Sequence, residues 1–146
     1  MNERIVDSEI RLIPYYRNDE VSLPWYQDRE VVKLVDDRDT PYDAELLHAM
    51  YDYLSCGGDC FYIEYDGTLV GDVTLLSDGE IAIVVSKDYQ KKHIGFRCVS
   101  EMIKLAAEKG MKEVKVRIFS FNIASQHMFL SLGFRHADGE VYIREL

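Results

Sequence analysis

The sequence has no long hydrophobic run. Its longest aliphatic stretch covers only residues 81–85, whereas a membrane-spanning helix needs about 20 consecutive apolar residues. The first seven residues carry acidic side chains and no apolar stretch, so they do not resemble a secretory signal peptide. We therefore expect a cytoplasmic protein that makes no use of a membrane.

Cysteine is also scarce. There are three cysteines, and an odd number in a chain of this size favours a reducing compartment over a disulfide framework. Cys56 and Cys60 would need a second pair of ligands to hold a metal ion, and neither Cys98 nor the scattered histidines supply one at a recognisable spacing. We expect neither disulfides nor a metal site.

Lysine and arginine are absent from the middle of the chain. Residues 39–86 contain ten acidic side chains and no Lys or Arg, while residues 87–146 contain 11 basic and 7 acidic side chains. The middle segment would repel phosphate, which argues against a nucleic-acid partner. The distribution suggests an anionic ligand on the last third and a cationic one on the middle, unless the acids only form a solubilising surface.

At 146 residues, the chain has the length of one domain, taken as 1–146. We predict an early strand around residues 10–16 and a helix around residues 23–34. A second helix is predicted to begin with Thr40 as its N-cap and Pro41 at its first position, and to end at Gly57.

Turn dipeptides divide the next segment into three strands. Asp66-Gly67 and Asp78-Gly79 separate residues 61–65, 68–76 and 80–85, which predicts an antiparallel meander. A helix over 96–109 and a strand over 113–121 follow, and together with strand 81–85 they predict a right-handed βαβ unit. Asn122 is a suitable N-cap for a short helix ending at Gly133, and a last hairpin turns at residues 138–139.

The junction between strand 81–85 and the following helix carries the most informative residues. Gly95 lies at the start of the helix, where free backbone N–H groups and the helix dipole can bind a phosphate. Lys91, Lys92 and Arg97 add positive charge. The loop lacks the glycines of a Walker or dinucleotide-binding motif, and a solvated basic surface loop would look similar.

Two motifs in this region resemble those of the GNAT superfamily of N-acetyltransferases. The family's cofactor loop has the form Gln/Arg-x-x-Gly-x-Gly/Ala, and residues 90–95 match it at Gln90 and Gly95. A second family motif, Asn-x-x-Ala-x-x-x-Tyr-x-x-x-Gly-Phe, matches at Asn122, with Ser125 and Phe129 in the Ala and Tyr places, and again at residues 133–134.

The resemblance implies a mixed α/β (α+β) GNAT-like fold: six to seven strands, an antiparallel N-terminal meander, a central βαβ cofactor unit and flanking helices. It implies acetyl-coenzyme A as cosubstrate, no metal, and a backbone N–H of the strand, assigned to Val85, polarising the thioester. The implied cofactor-binding residues are Ile83, Val84, Val85, Gln90, Lys91, Lys92, His93, Ile94, Gly95, Phe96, Arg97, Asn122, Ser125 and Phe129.

Two positions depart from the family pattern. His93 replaces the first glycine of the loop, which the family uses for close backbone approach and unusual dihedral angles. Phe129 replaces a tyrosine that protonates the leaving thiolate, so the thiolate must leave unassisted or be served by water or by another tyrosine, such as Tyr89 or Tyr142. A non-catalytic acetyl-coenzyme A sensor is therefore the alternative to an enzyme.

The acceptor implied by the resemblance is a primary amine, carried by a small molecule, a peptide or a protein. An alkylamine is protonated near neutral pH, so a base must remove a proton, and the candidates are Glu80, Glu64 and Asp72. The acidic middle segment favours a cationic acceptor, such as a polyamine, an aminoglycoside or a peptide amine. Five aromatic residues either line its pocket or pack in the core: Trp25, Tyr26, Tyr42, Tyr51 and Tyr53.

Overall fold

Eight strands and five α-helices make up the structure, a computed structural model that describes all 146 residues. The strands are β1 (Arg4–Ile5), β2 (Ile10–Pro14), β3 (Gly58–Tyr65), β4 (Thr68–Leu76), β5 (Ile81–Val85), β6 (Glu113–Arg117), β7 (Arg135–Asp138) and β8 (Val141–Glu145). The helices are α1 (Asp19–Ser22), α2 (Arg29–Asp36), α3 (Ala44–Gly57), α4 (Ile94–Glu108) and α5 (Ile123–Ser131), with a 3₁₀ helix at Leu23–Gln27. The α+β class is confirmed.

The first sheet is antiparallel throughout, in the order β1-β2-β3-β4-β5. The predicted meander is confirmed, and Asp66 and Gly67 turn its first hairpin with positive φ angles of 48° and 84°. Strand β3 begins at Gly58, three residues before the predicted start, because its first residues pair with the end of β4.

The second sheet has the order β6-β8-β7. It touches the first sheet through one parallel bridge, between Glu80 and Lys115, beyond which β5 and β6 diverge. The predicted single sheet of six to seven strands is therefore two sheets. The predicted strand over 113–121 was too long, since β6 ends at Arg117, the last of its residues that pairs with β8.

The predicted boundaries of the first two helices were wrong. Instead of one helix over 23–34, the chain forms a 3₁₀ turn that contains Pro24, and then α2 begins after Asp28, whose carboxylate accepts the N–H groups of the next turn. Helix α3 is capped by Asp43 rather than Thr40. Tyr42 is held non-helical because its N–H donates to the carbonyl of Tyr26.

Two hydrophobic clusters lie on opposite faces of the first sheet. The larger contains α4 and the second sheet, and the smaller packs the 3₁₀ turn, α2 and α3 against the other face. Four of the five aromatic candidates are buried in the smaller cluster, and only Tyr53 is exposed. The three cysteines are free thiols, and no group of His, Cys, Asp or Glu is arranged to hold a metal ion. No helix combines the length and apolar character needed to cross a membrane.

Candidate active site

A cavity of about 340 Å³ opens where the two sheets diverge. Residues 80–84 of β5 and its approach form one wall, and residues 116–119 face them. Helix α5 contributes Ser125 and Phe129 to the cavity. The remaining side is built from the two helices α2 and α3 with the 3₁₀ turn, and its lining residues are Tyr26, Leu34, Val35, Asp36, Tyr42, Met50, Tyr53 and Leu54.

Strand β5 presents unpaired backbone groups to this cavity. Ser86 N–H donates to Val70 and Leu76 N–H donates to Glu80, and antiparallel bonding alternates along a strand. The N–H groups of Ile83 and Val85 therefore point away from β4, into the gap that β6 leaves. Val84, which faces Asp72 in the ladder, directs its N–H to β4 and lines the cavity with its side chain.

The free N–H groups differ in their access to the cavity. Ile83 lines the cavity, whereas Val85 lies at the end of β5, outside it. The backbone donor best placed to polarise a carbonyl inside the cavity is thus Ile83 N–H, two residues before the predicted Val85.

The loop after β5 has two residues in the left-handed region, and neither is a glycine. His93 has φ 59° and ψ 21° and is the N-cap of α4, and Lys91 has φ 67°. The side chains of Lys91, Lys92 and His93 are exposed. Helix α4 begins at Ile94, two residues earlier than predicted, so the N–H groups of residues 94–96 belong to its first turn and remain open to an anion.

The predicted site residues at the two ends of the loop differ in their surroundings. Gln90 Nε2 donates to the carbonyl of Val85 at 3.1 Å. Ile94 is buried, and Phe96 is exposed on the first turn of α4. The hydrogen bond of Gln90 lies within the loop, and the contacts of these three residues with the cofactor stay predictions.

The N-cap residue of α5 links this helix to α2 at the side of the cavity. Asn122 Oδ1 accepts the N–H of Ser125 at 3.3 Å, and its Nδ2 donates to the carbonyl of Leu34 on α2 at 3.2 Å. Phe129 lies one turn after Ser125 on the same face of the helix. It is buried and packs edge-to-face on Phe134, with 5.0 Å between ring centroids.

Neither tyrosine considered as a substitute for the missing phenol lines the cavity. Tyr142 is buried in the larger cluster, and Tyr89 packs against that cluster and against Tyr65. The only hydroxyl on the cavity face of α5 is Ser125.

Asp72 is the one charged side chain buried in the cavity wall. It is 1% exposed, and the hydroxyls of Tyr26 and Tyr51 both donate to its Oδ2, at 2.7 and 2.8 Å. Burial raises the pKa of Asp72 to about 6, because removal from water disfavours the carboxylate, and the two hydroxyls only partly offset this. Gly71 permits the close strand contact here, since a Cβ on it would lie 2.1 Å from the carbonyl oxygen of Val84.

The two candidate glutamates lie in different places. Glu80 lines the cavity at its narrow end, where its carboxylate is 3.8 Å from Arg117 Nε. Glu64 lies on β3, binds Arg11 at 2.8 Å, and does not reach the cavity. The structure therefore brings Asp72 and Glu80 to the site and leaves Glu64 out.

A family model described as the acetyltransferase (GNAT) family matches residues 22–134, which include the loop, Asp72 and α5. The chain belongs to this family.

Solved structures share the fold of this chain. A domain from Methanocaldococcus jannaschii aligns with 26% identity and a TM-score of 0.83, covering 96% of this chain and all of that one. A GNAT acetyltransferase from Elizabethkingia anophelis with acetyl-CoA bound has 17% identity, a TM-score of 0.68 and 96% and 100% coverage. The microcin C7 self-immunity acetyltransferase MccE, in complex with acetyl-CoA and AMP, has 16% identity, a TM-score of 0.74 and 97% and 94% coverage.

The side chain of Arg97 is bound to the loop and to the segment between β1 and β2. Its guanidinium binds Asp7 at 3.0 Å and Glu9 at 2.8 Å. The same side chain donates to the loop carbonyls of Lys92 at 3.0 Å and His93 at 3.3 Å. The charge of Arg97 is thus already paired with the β1–β2 connection, and its contact with the cofactor stays a prediction.

The limited space around Gly95 leads to a prediction about cofactor binding. A Cβ on Gly95 would lie 3.4 Å from Met128 Sδ and 3.9 Å from Ile83 Cδ1. We expect Gly95→Val to weaken acetyl-CoA binding at least about tenfold, because its branched methyl groups must displace α4 from β5 and α5. Calorimetric titration measures this, with Gly95→Ala as the matched control, whose single methyl fits at van der Waals distance. Equal affinities for Gly95→Val and the wild type would contradict the assignment.

Proposed function

We propose that this protein transfers an acetyl group from acetyl-CoA to the primary amine of a cationic acceptor by direct attack. The observation that carries the proposal is that one cavity is bordered both by the free N–H of Ile83 and by the buried carboxylate of Asp72. An acetyl transferase needs a donor for the thioester oxygen and an acceptor for the amine's proton, and these two groups meet that need.

The open backbone groups support the place proposed for the cofactor. The N–H groups of residues 91–96, at the N-terminus of a 15-residue helix, suit a pyrophosphate, and Lys91 and Lys92 add charge beside them. Bound acetyl-CoA would supply the thioester in the gap between β5 and β6. There Ile83 N–H would stabilise the developing negative charge on the carbonyl oxygen.

Asp72 is the base that the geometry favours. A carboxylate whose pKa is raised to about 6 is ionised at neutral pH and is a stronger proton acceptor than an ordinary aspartate. Glu80 remains a second candidate, because it borders the same cavity near Arg117. The positive charge proposed for the acceptor is supported by the lining residues, which include Asp36, Asp72 and Glu80 against the one cation Arg117.

Phe129 and His93 motivate the alternative function, a sensor that binds acetyl-CoA without turnover. The left-handed backbone of His93 weakens that alternative, since the loop takes its shape without the glycine. Phe129 still provides no proton for a leaving thiolate, although a thiol is acidic enough to leave near neutral pH.

Mass spectrometry of the purified protein with acetyl-CoA and a panel of amines separates the two functions. We expect an acetylated amine from the wild type, and a change of less than about tenfold for Phe129→Tyr, below the ~10²–10⁴-fold range of general acid catalysis. Phe129→Leu controls for altered packing. A wild-type rate at the uncatalysed background, together with a large gain in Phe129→Tyr, would establish the sensor instead.

A further inference from the structure

The carboxylate of Asp72 has one oxygen without a protein partner. Both tyrosine hydroxyls donate to Oδ2, and Oδ1 receives no hydrogen bond. Asp72 lines the cavity, and its Oδ1 is not among the polar atoms that are sealed inside the protein without a partner. The Oδ1 atom therefore faces the cavity.

An open oxygen on a buried carboxylate indicates a ligand with a donor. Burying a charged group is costly unless it is paired and hydrogen-bonded, and native proteins pair most buried polar atoms. Two hydroxyls on Oδ2 also restrict rotation of the carboxylate, so Oδ1 is held in one direction. The matching ligand group is small, cationic and rich in hydrogen-bond donors, as an ammonium group is.

The wall around Asp72 on the helix side is apolar. Four aliphatic side chains and three tyrosine rings form it: Leu34, Val35, Met50, Leu54, Tyr26, Tyr42 and Tyr53. No Lys or Arg is part of this wall, and Arg38 lies over the ring of Tyr42 without lining the cavity. The second carboxylate, Asp36, is exposed at the rim and already accepts the hydroxyl of Tyr42 at 2.7 Å.

We propose that Asp72 Oδ1 binds the ammonium group of the acceptor, and that the acceptor is a primary monoamine on a compact apolar body, such as an arylalkylamine. This rests on the proposed function, since it names the substrate class of the same cavity. The other two carboxylates of the cavity are already engaged, Asp36 with the hydroxyl of Tyr42 at the exposed rim and Glu80 beside Arg117. Further charges or hydroxyls of a polyamine or an aminoglycoside would therefore meet aliphatic side chains, where desolvation is not compensated. The volume of about 340 Å³ must also hold part of the cofactor, which favours a small acceptor.

Steady-state kinetics at saturating acetyl-CoA test the substrate class. We expect kcat/KM for 2-phenylethylamine and hexylamine to exceed that for spermidine, kanamycin and a lysine peptide by about 10–100-fold, the effect of one charged group left unpaired. The inhibition constant of the uncharged 2-phenylethanol should be at least about tenfold higher than the dissociation constant of 2-phenylethylamine. Equal or better turnover of the polar amines would overturn the substrate class while leaving acetyl transfer intact.

Two variants test the ammonium site itself. Asp72→Asn should raise the dissociation constant of 2-phenylethylamine at least about tenfold and leave that of acetyl-CoA within about twofold. Met50→Glu places a new carboxylate in the apolar wall and should shift the ratio of kcat/KM towards 1,6-diaminohexane over hexylamine. Glu45→Gln, an exposed change on the same helix, is the control.

The outcomes separate this inference from the proposed function. If no amine is acetylated, acetyl transfer is refuted, and calorimetry of 2-phenylethylamine with the wild type and Asp72→Asn still decides the ammonium site. Unchanged amine affinity in Asp72→Asn, or an unchanged preference in Met50→Glu, would overturn the site. If Asp72→Asn does not fold, the Met50→Glu result decides.

Discussion

Asp72→Asn is expected to lower kcat/KM for acetyl transfer by about 10²–10⁴-fold, because Asp72 is the proposed base. The variant should also lack the fall in rate at acid pH. Its pKa is raised to about 6 by burial, so the wild-type rate should fall as the pH drops through about 6 and the carboxylate takes up a proton. The amide of the variant has no such titration. Rates from pH 5 to 9 for both proteins measure this.

Two comparisons identify which carboxylate acts. Glu80→Gln should retain the acid limb, and Glu113→Gln, an exposed change on β6, should reproduce the wild-type profile. Loss of the limb in Glu80→Gln and its persistence in Asp72→Asn would assign the base to Glu80.

The folding stability of the same variant gives an independent check on the raised pKa. Because the pKa of Asp72 is higher in the folded chain than its ordinary value of 3.8, its contribution to stability is present below pH 4 and is lost as the pH rises through about 6. The stability of Asp72→Asn relative to the wild type should therefore increase over this window, by about 3 kcal/mol at most. Urea unfolding at pH 4 and pH 8 measures the difference.

Arg97→Gln weakens acetyl-CoA binding by about tenfold or more, and His93→Gly restores most of the loss. A left-handed residue other than glycine costs about 1–2 kcal/mol, and the loop holds two of them, Lys91 and His93. Arg97 offsets this cost through its bonds to the loop carbonyls and to Asp7 and Glu9. Without it, the loop would relax away from the shape that binds the pyrophosphate, whereas glycine at 93 takes the left-handed shape at no steric cost.

Calorimetry of acetyl-CoA with the single and double variants tests this coupling. Arg11→Gln removes a comparable surface arginine, bound to Glu3 and Glu64, and should leave the affinity unchanged. The expected kinetic signature is a higher KM for acetyl-CoA with kcat nearly constant. A double variant as weak as Arg97→Gln would show that Arg97 does not act through the left-handed loop.

Local signals made much of the fold predictable. The Asp66-Gly67 turn, the Asn122 cap and the Gly57 stop each act through neighbouring residues, and the structure has each of them as predicted. The first helices were misplaced because an aspartate cap and a backbone bond from Tyr42 to Tyr26 outweighed the local preference of Thr40-Pro41. The two GNAT motifs were recognisable because each is continuous in the chain.

The arrangement of the site was decided by contacts between residues distant in sequence. Asp72 was one of three carboxylates considered as the base, and its place in the cavity depends on Tyr26 and Tyr51, which lie 46 and 21 residues away. The pairing of Arg97 was not predictable either, because its partners Asp7 and Glu9 lie 90 and 88 residues away. Short-range patterns were enough to predict the family, the loop and most of the element order, because motifs, caps and turns act through residues close in the chain. Which charges are paired and which face the cavity could not be predicted, because pairing and burial depend on packing between separate elements.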